Sequence, residues 1–278
     1  MISPLSVGIA PTRAFRGTWW DAADLCRRLK FCGAEFKYEV PFVLPDRWGP
    51  AMIRSIARIG REESLTLSLH GPYTNIGALL STRWEKTLDE HLRALDCAEA
   101  LGASTLTVHP GWVEEEYATK ELVSLCRERT VCALERLASR AGSVTVCLEN
   151  QSPADINRVN VGLTPDQLLS ILGELPAVRS TLDVGHANLL DGNPVRFFET
   201  LGPNRVRLAH LHDNTGQTDD HLPPGQGSVT WAEFLASYRS NGCRFPLFLE
   251  LAGEPDDYVS GRDLLQDRWA ELTARTGL

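Results

Sequence analysis

TLSLHGPYTNIGALLSTRWEKTLDEHLRALDCAEALGASTLTVH, residues 66–109, shows in one repeat the pattern that the rest of the chain follows. TLSLH (66–70) and STLTVH (104–109) are short β-branched runs of strand length. Between them, residues 82–101 place Leu88, Leu92, Leu95, Ala98 and Leu101 at i+3/i+4 spacing, which predicts an amphipathic helix. Gly102 stands where a helix hands over to the next strand, the position at which a left-handed residue stops the helix. Both strand runs end on histidine, His70 and His109.

Working outward, the same alternation occurs eight times. The strand-like runs are LSVGIA (5–10), EFKYEV (35–40), TLSLH (66–70), STLTVH (104–109), VTVCLE (144–149), RSTLDV (179–184), RVRLAHLH (205–212) and FPLFLE (245–250). Their ends are about 34 residues apart on average, the length of a βα unit. Residues 119–141 repeat the helical pattern, Thr164-Pro165-Asp166 reads as an N-cap with Pro in the first turn, and Thr230 with Glu233 reads as a capping box. Gly142 and Gly242 are expected to close helices as Gly102 does. Eight βα units without a linker or low-complexity break predict an α/β protein: a single (β/α)8 TIM barrel domain over residues 1–278, its active site at the C-terminal ends of the strands. A doubly wound open sheet is the alternative, and the missing Gly-rich fingerprint after the first strand argues against it.

Composition narrows the function classes. The chain has 278 residues, a formal net charge of −8, 43% apolar residues and 23% charged ones, as a globular domain does. No apolar run reaches the roughly 18 residues of a spanning helix, and MISPLSVGIAP lacks the basic start of a signal peptide, so a cytoplasmic protein with no membrane partner is expected. The seven cysteines form no CxxC and read as reduced core filler. The acidic balance offers nothing to nonspecific nucleic-acid binding, while leaving room for a local positive site built by metal ions.

The informative residues are positional. Strands three to eight end on His70, His109, Glu149, Asp183, His210 and Glu250, all of metal-ligand type. In a barrel these ends converge on one face. Singly, a strand-end His is a structural residue and a strand-end Asp caps the next helix. Six in succession point to metal, because clustered buried carboxylates are costly without a cation. His186, Asp219 and His221 follow on the loops and can close over the same mouth.

HGPY (70–73), VHPG (108–111), LEN (148–150), LDVGHAN (182–188), HLHDN (210–214), the D-x-H run of 219–227 and LFLE (247–250) resemble the xylose isomerase-like TIM barrel superfamily, which contains sugar phosphate isomerases and epimerases and endonuclease IV-like proteins. The epimerase resemblance implies one divalent ion, Mn2+, Zn2+, Co2+ or Mg2+, held by Glu149, Asp183, His210 and Glu250. It also implies that Glu149 and Glu250 move the proton through a metal-stabilised enediolate, and that His186 contacts substrate oxygens. The endonuclease resemblance implies up to three zinc ions, with His70, His109, His186, Asp219 and His221 added to the ligands, and apurinic/apyrimidinic site cleavage as the reaction. His212 departs from that pattern, standing where the endonucleases typically have Asn.

The loops favour a small-molecule sugar or sugar phosphate over DNA. The loop after strand four places Glu114, Glu115 and Glu116 near the mouth, where they would repel a phosphate backbone. The loop after strand two, VPFVLPDRWGP, is apolar with Arg47 its only cation of lysine or arginine type. A carbohydrate dehydratase is a further alternative, and a non-catalytic carbohydrate-binding barrel the least favoured; a homo-oligomer is compatible with all of these. Trp112 and Arg158 are candidate substrate contacts, Trp112 by stacking on a sugar ring and Arg158 by meeting an anion. Trp19-Trp20 read as stacking residues or as packing at a helix start. Gly225-Gln226-Gly227 reads as a phosphate nest or as a tight loop. Lys37 and Glu39 share one face of strand two, inward or outward.

Overall fold

The computed structural model describes residues 5–12, 17–38 and 49–275. Glu39 and Arg47 lie outside the described residues. Eight parallel strands close into a barrel: β1 (Val7–Ile9), β2 (Gly33–Lys37), β3 (Thr66–His70), β4 (Thr105–Val108), β6 (Thr145–Glu149), β8 (Arg179–Asp183), β9 (Val206–Leu211) and β10 (Leu247–Leu249). The ring closes where Val7 pairs with Leu247 on one side and Ile9 with Ala34 on the other. Helices α1 (Trp19–Leu29), α2 (Pro50–Glu62), α3 (Ser81–Leu101), α4 (Lys120–Arg140), α5 (Pro165–Leu172), α6 (Val184–Asp191), α7 (Pro194–Leu201), α8 (Trp231–Ser240) and α9 (Pro255–Arg275) run between and around the strands. The two remaining strands, β5 (Trp112–Glu114) and β7 (Arg158–Asn160), pair antiparallel in a small sheet outside the barrel. That sheet links the loops after β4 and β6 and sets Trp112 and Arg158 over the barrel mouth.

The apolar residues counted along the sequence build the layer between barrel and helices. Leu88, Leu95, Ala98 and Leu101 of α3 are buried there with Leu67, Leu69 and Leu106. A small separate cluster, Ala10, Leu208 and Phe248, is fully buried. Gly8 makes room for Phe248, since a Cβ at residue 8 would lie 2.3 Å from its ring. Above this apolar cluster the barrel strands carry buried polar and ionisable residues, among them Glu35, Lys37, Ser68, His70, Thr107, Glu149 and His210.

Local expectations hold at most caps and fail at three places. The Thr164 hydroxyl accepts the Gln167 N–H in a full capping box, and Gly102 and Gly242 adopt left-handed φ of 71° and 64°. Thr230 makes no side-chain cap: its carbonyl takes the Glu233 and Phe234 N–H groups, and the adjacent Trp231 indole is tied to Asp213. Gly142 is not a helix-closing glycine, because Ala141 is already extended and Glu99 of α3 accepts the Gly142 N–H at 2.9 Å. Strand two begins at Gly33 rather than Glu35, and Tyr38 lies beyond it.

Candidate metal centre

Glu149 ends β6, His210 lies near the end of β9, and Glu250 follows β10 directly. The His210 Nδ1 lies 2.6 Å from Glu149, 3.1 Å from Glu250 and 3.9 Å from Asp183. Its Nε2 is 2.6 Å from Glu35, whose second oxygen accepts from Ser68 at 2.6 Å and Thr107 at 3.2 Å. Four buried carboxylates thus surround one imidazole. Lys37 faces inward, pairs with Glu250 and lies 3.0 Å from the Tyr73 hydroxyl.

Asp183 serves the backbone as well as the site. One oxygen caps α6 by accepting the His186 N–H at 2.7 Å, and Asn150 braces the strand end with bonds of 2.8 and 2.9 Å. Its Oδ2 is buried without a hydrogen-bond partner among the described residues. His70 and His109 approach the Glu149 Oε2 at 3.3 and 2.9 Å, so Glu149 touches histidines on both sides. His186, His212, Asp219 and His221 form a further group beside Asp183.

Three donor sets therefore assemble, each with ligand atoms within 4.8 Å of one another: Glu149, Asp183, His210 and Glu250; His70, His109 and Glu149; and His186, His212, Asp219 and His221. The donor chemistry fits a divalent cation: anionic oxygens and imidazole nitrogens converge, and Asp183 Oδ2 is left over for it. The electrostatics agree. Burial alone would raise the carboxyl pKa of Glu149, yet His210, His109 and His70 hold it well below the usual range. Glu250 is likewise held low against its burial by Lys37, His210 and His221. His210 is pulled well above the ordinary imidazole value, burial being overcome by Glu35, Glu250 and Glu149. The pocket attracts positive charge.

Of these groups, His109, Glu149, His186, Asp219, His221 and Glu250 line a cavity of about 390 Å³, which Tyr73, Trp112, Gln151 and Arg158 also line. The Arg158 guanidinium lies 4.5 Å from the Trp112 ring centroid, so the two candidate substrate contacts stand together at this cavity. A wider groove of about 810 Å³ shares Tyr73 and Trp112 with it and runs past Leu80, Arg83 and Glu114.

Other expectations resolve differently. Trp19 is a packing residue, buried against Phe36 with its indole N–H donating to the Lys37 carbonyl. Gly225-Gln226-Gly227 is not an open phosphate nest. The Asp213 carboxylate already accepts the Gly225 N–H at 2.8 Å, and the Gln226 N–H donates to the Pro223 carbonyl at 3.1 Å. Glu35 and His212 were not read from the sequence as part of the site. For His212 a signal was available, an imidazole two positions beyond His210 and so returned to the same face by strand alternation; for Glu35 none was, because the sequence leaves open which face of strand two Lys37 takes.

A closed eight-stranded parallel barrel is a TIM barrel, and ligand-type side chains at its strand ends give this one a candidate metal site. Residues 23–268 match the family model of the xylose isomerase-like TIM barrel, and the chain belongs to that family. An uncharacterised protein of Methanocaldococcus jannaschii is 27% identical over 199 residues, 69% of this chain and 67% of its own length. Among solved structures, a D-tagatose 3-epimerase-like protein superposes with a TM-score of 0.85 at 21% identity, covering 98% of this chain and 100% of that one. Endonuclease IV from Thermus thermophilus gives 0.75 at 20% identity over 96% and 99%. Such likeness establishes the shared fold. No helix among the described residues is long and apolar enough to cross a membrane.

Proposed function

We propose that the chain is a divalent-metal-dependent sugar or sugar-phosphate isomerase or epimerase working by proton transfer beside a carbonyl. One observation carries this reading: two buried carboxyl groups, Glu149 and Glu250, converge within 3.1 Å of the same imidazole nitrogen at the foot of a cavity of about 390 Å³. That volume lies in the range of small-molecule sites. The chemistry supplied by a divalent ion held by Glu149, Asp183, His210 and Glu250 is polarisation of the sugar's carbonyl and hydroxyl oxygens, which acidifies the C–H between them.

The chain's own groups do the rest. One of the two, as a carboxylate, takes the proton from carbon and becomes the acid, while the other, entering as the acid, delivers a proton to the opposite face; the cations beside them favour the anionic form that the abstracting group needs. Lys37 holds Glu250 in place from below. Trp112 offers a ring face to the sugar, and Arg158 offers donors to a phosphate or ring oxygen at the rim. Similarity to the D-tagatose 3-epimerase-like protein supports the reading, as does the carboxylate of Glu114 in the groove that shares Tyr73 and Trp112 with the cavity.

A second reading, a multi-zinc phosphodiesterase of the endonuclease IV type, is favoured by the convergence of all three donor groups. Incubation of the metal-loaded protein in D2O with a panel of ketoses and ketose phosphates separates the two. Deuterium entering at the carbon next to the carbonyl, and lost in Glu149→Gln, is the expected result. No exchange across the panel, together with cleavage of an abasic-site oligonucleotide, would overturn the isomerase reading.

A further inference from the structure

The groove of about 810 Å³ begins at the rim of the cavity, because Tyr73 and Trp112 line both. It is roughly twice the cavity's volume, and no residue of the three donor sets lines it. Leu79 and Leu80 enter it from the loop after β3, Val113 from β5, Tyr117 from just beyond β5, and Leu122 from α4. Its two sides are tied together by Asn75, whose amide donates to the Trp112 carbonyl at 2.7 Å and accepts the Trp112 N–H at 3.2 Å. The groove is therefore built in advance of any occupant.

Five large apolar side chains are exposed among the described residues, and three of them, Tyr73, Leu80 and Tyr117, line this one groove. Leu80 is 60% exposed and Tyr117 59%. Scattered singly, such residues need no explanation; gathered on one concave surface beside a cavity, they mark a place where an apolar group binds. The charges of the groove cancel. Arg83 and Lys86 are matched by Glu90 and Glu114, and Lys86 and Glu90 stand one turn apart on α3. An uncharged occupant fits this surface better than a phosphate does.

We propose that the substrate is a keto-sugar carrying an uncharged apolar substituent at the end away from its carbonyl, the sugar lying in the cavity and the substituent in the groove against Leu80, Val113 and Tyr117. This rests on the isomerase or epimerase reading above and narrows its substrate class. Binding energy gathered in the groove, remote from the reacting carbon, holds the carbonyl end of the sugar toward Glu149 and Glu250. Trp112, on the shared rim, meets the junction of sugar and substituent. Arg158, 4.5 Å from the Trp112 ring and lining the cavity but not the groove, stays with the sugar.

The test compares D-fructose, D-sorbose, D-tagatose and D-psicose with their benzyl ethers at the terminal hydroxyl far from the carbonyl, which leave the carbonyl and the C–H beside it intact. Solvent-deuterium exchange is measured with the full chain loaded with Mn2+. The expected result, in at least one pair, is a KM lower by about tenfold or more for the benzyl ether than for the unsubstituted ketose. The double variant Leu80→Asp/Tyr117→Asp should bring that pair to within about twofold of each other and leave exchange with the unsubstituted ketose unchanged, since both side chains are exposed and neither belongs to a donor set. Exchange with ketoses but no gain from the benzyl group in any pair, or a gain that survives both substitutions, overturns the inference and leaves the isomerase or epimerase reading standing. No exchange with either set overturns that reading, and the inference falls with it. Sedimentation velocity of the parent and the double variant accompanies the assay: a dimer that the substitutions dissociate, with no benzyl preference in the parent, gives the groove to a second copy of the chain and overturns the inference.

Discussion

Glu35 is the side chain through which the metal centre can be weakened without touching a ligand. It is fully buried and bonds the far nitrogen of His210 at 2.6 Å, so that the near nitrogen, Nδ1, is turned to Glu149, Asp183 and Glu250. A carboxylate in this position fixes the ring's tautomer and raises its basicity as a ligand, and removing such a partner typically costs 10–100-fold in metal affinity. Glu35→Gln keeps the shape and removes the charge. The amide can still accept from His210 only by turning its NH2 toward Ser68 and Thr107, whose hydroxyls must then rotate to receive it. The expected loss is therefore about 1.4–2.7 kcal/mol of binding free energy for Mn2+ or Zn2+ at the Glu149, Asp183, His210 and Glu250 set. Glu35→Ala should bind as weakly and also unfold more easily, because the His210 Nε2–H loses its acceptor while the two hydroxyls retain others in the Thr105 carbonyl and Thr181 Oγ1. Competition titration against a chromophoric chelator measures the affinity, with circular dichroism and thermal melting as checks on the fold. Glu35→Gln affinity within twofold of the parent, with the fold intact, would refute the argument that Glu35 orients His210.

Glu149→Gln or Glu250→Gln should lower solvent-deuterium exchange by at least about 10²-fold with the fold intact, and a substantial residual rate removes that residue from the acid/base role. His91, buried in α3 with Nδ1 donating to the Thr87 carbonyl, has its pKa pushed down to about 4, chiefly by burial. The unfolded chain takes the proton first, so stability falls as pH drops from about 6.5 to about 4 and levels off below, by roughly 3 kcal/mol. Urea unfolding in EDTA of the parent and His91→Leu should show that difference shrinking over this window; a pH-independent difference contradicts it. Asp213→Ala should destabilise by at least about 3 kcal/mol, since the N–H groups of Asn214, Gly225 and Val229 and the Trp231 indole lose one shared buried acceptor. Chemical denaturation measures this, and a midpoint unchanged from the parent would show that the loop finds other acceptors.

The barrel was legible because its evidence is local and periodic. TLSLH, the heptad-like leucines of α3 and STLTVH each carry their own signal, and the repeat of about 34 residues needs no tertiary information. The strand-end ligands followed, because eight similar units place similar positions on one face. The β5–β7 pair was not legible: Trp112–Glu114 and Arg158–Asn160 are three residues each, and their pairing spans a helix and a barrel strand. Nor was the role of Asp213, whose neighbours in sequence say nothing of Gly225 and Trp231 folding back onto it.

Glu35 marks a different boundary. On a half-exposed sheet, charged residues at alternating positions read as the solvent face, and Glu35 and Lys37 fit that reading. In a closed barrel the same alternation has an inside, and these two side chains are 0% and 3% exposed. What makes burial there tolerable is contributed by β3, β4, β9 and the end of β10: Ser68, Thr107, His210 and Glu250. None is within thirty residues of Glu35 along the chain, so no window of sequence contains both the charge and its partners. The candidate ligands could be grouped by position because the fold repeats. The residues that orient them could not, because each is made acceptable only by closure of the ring.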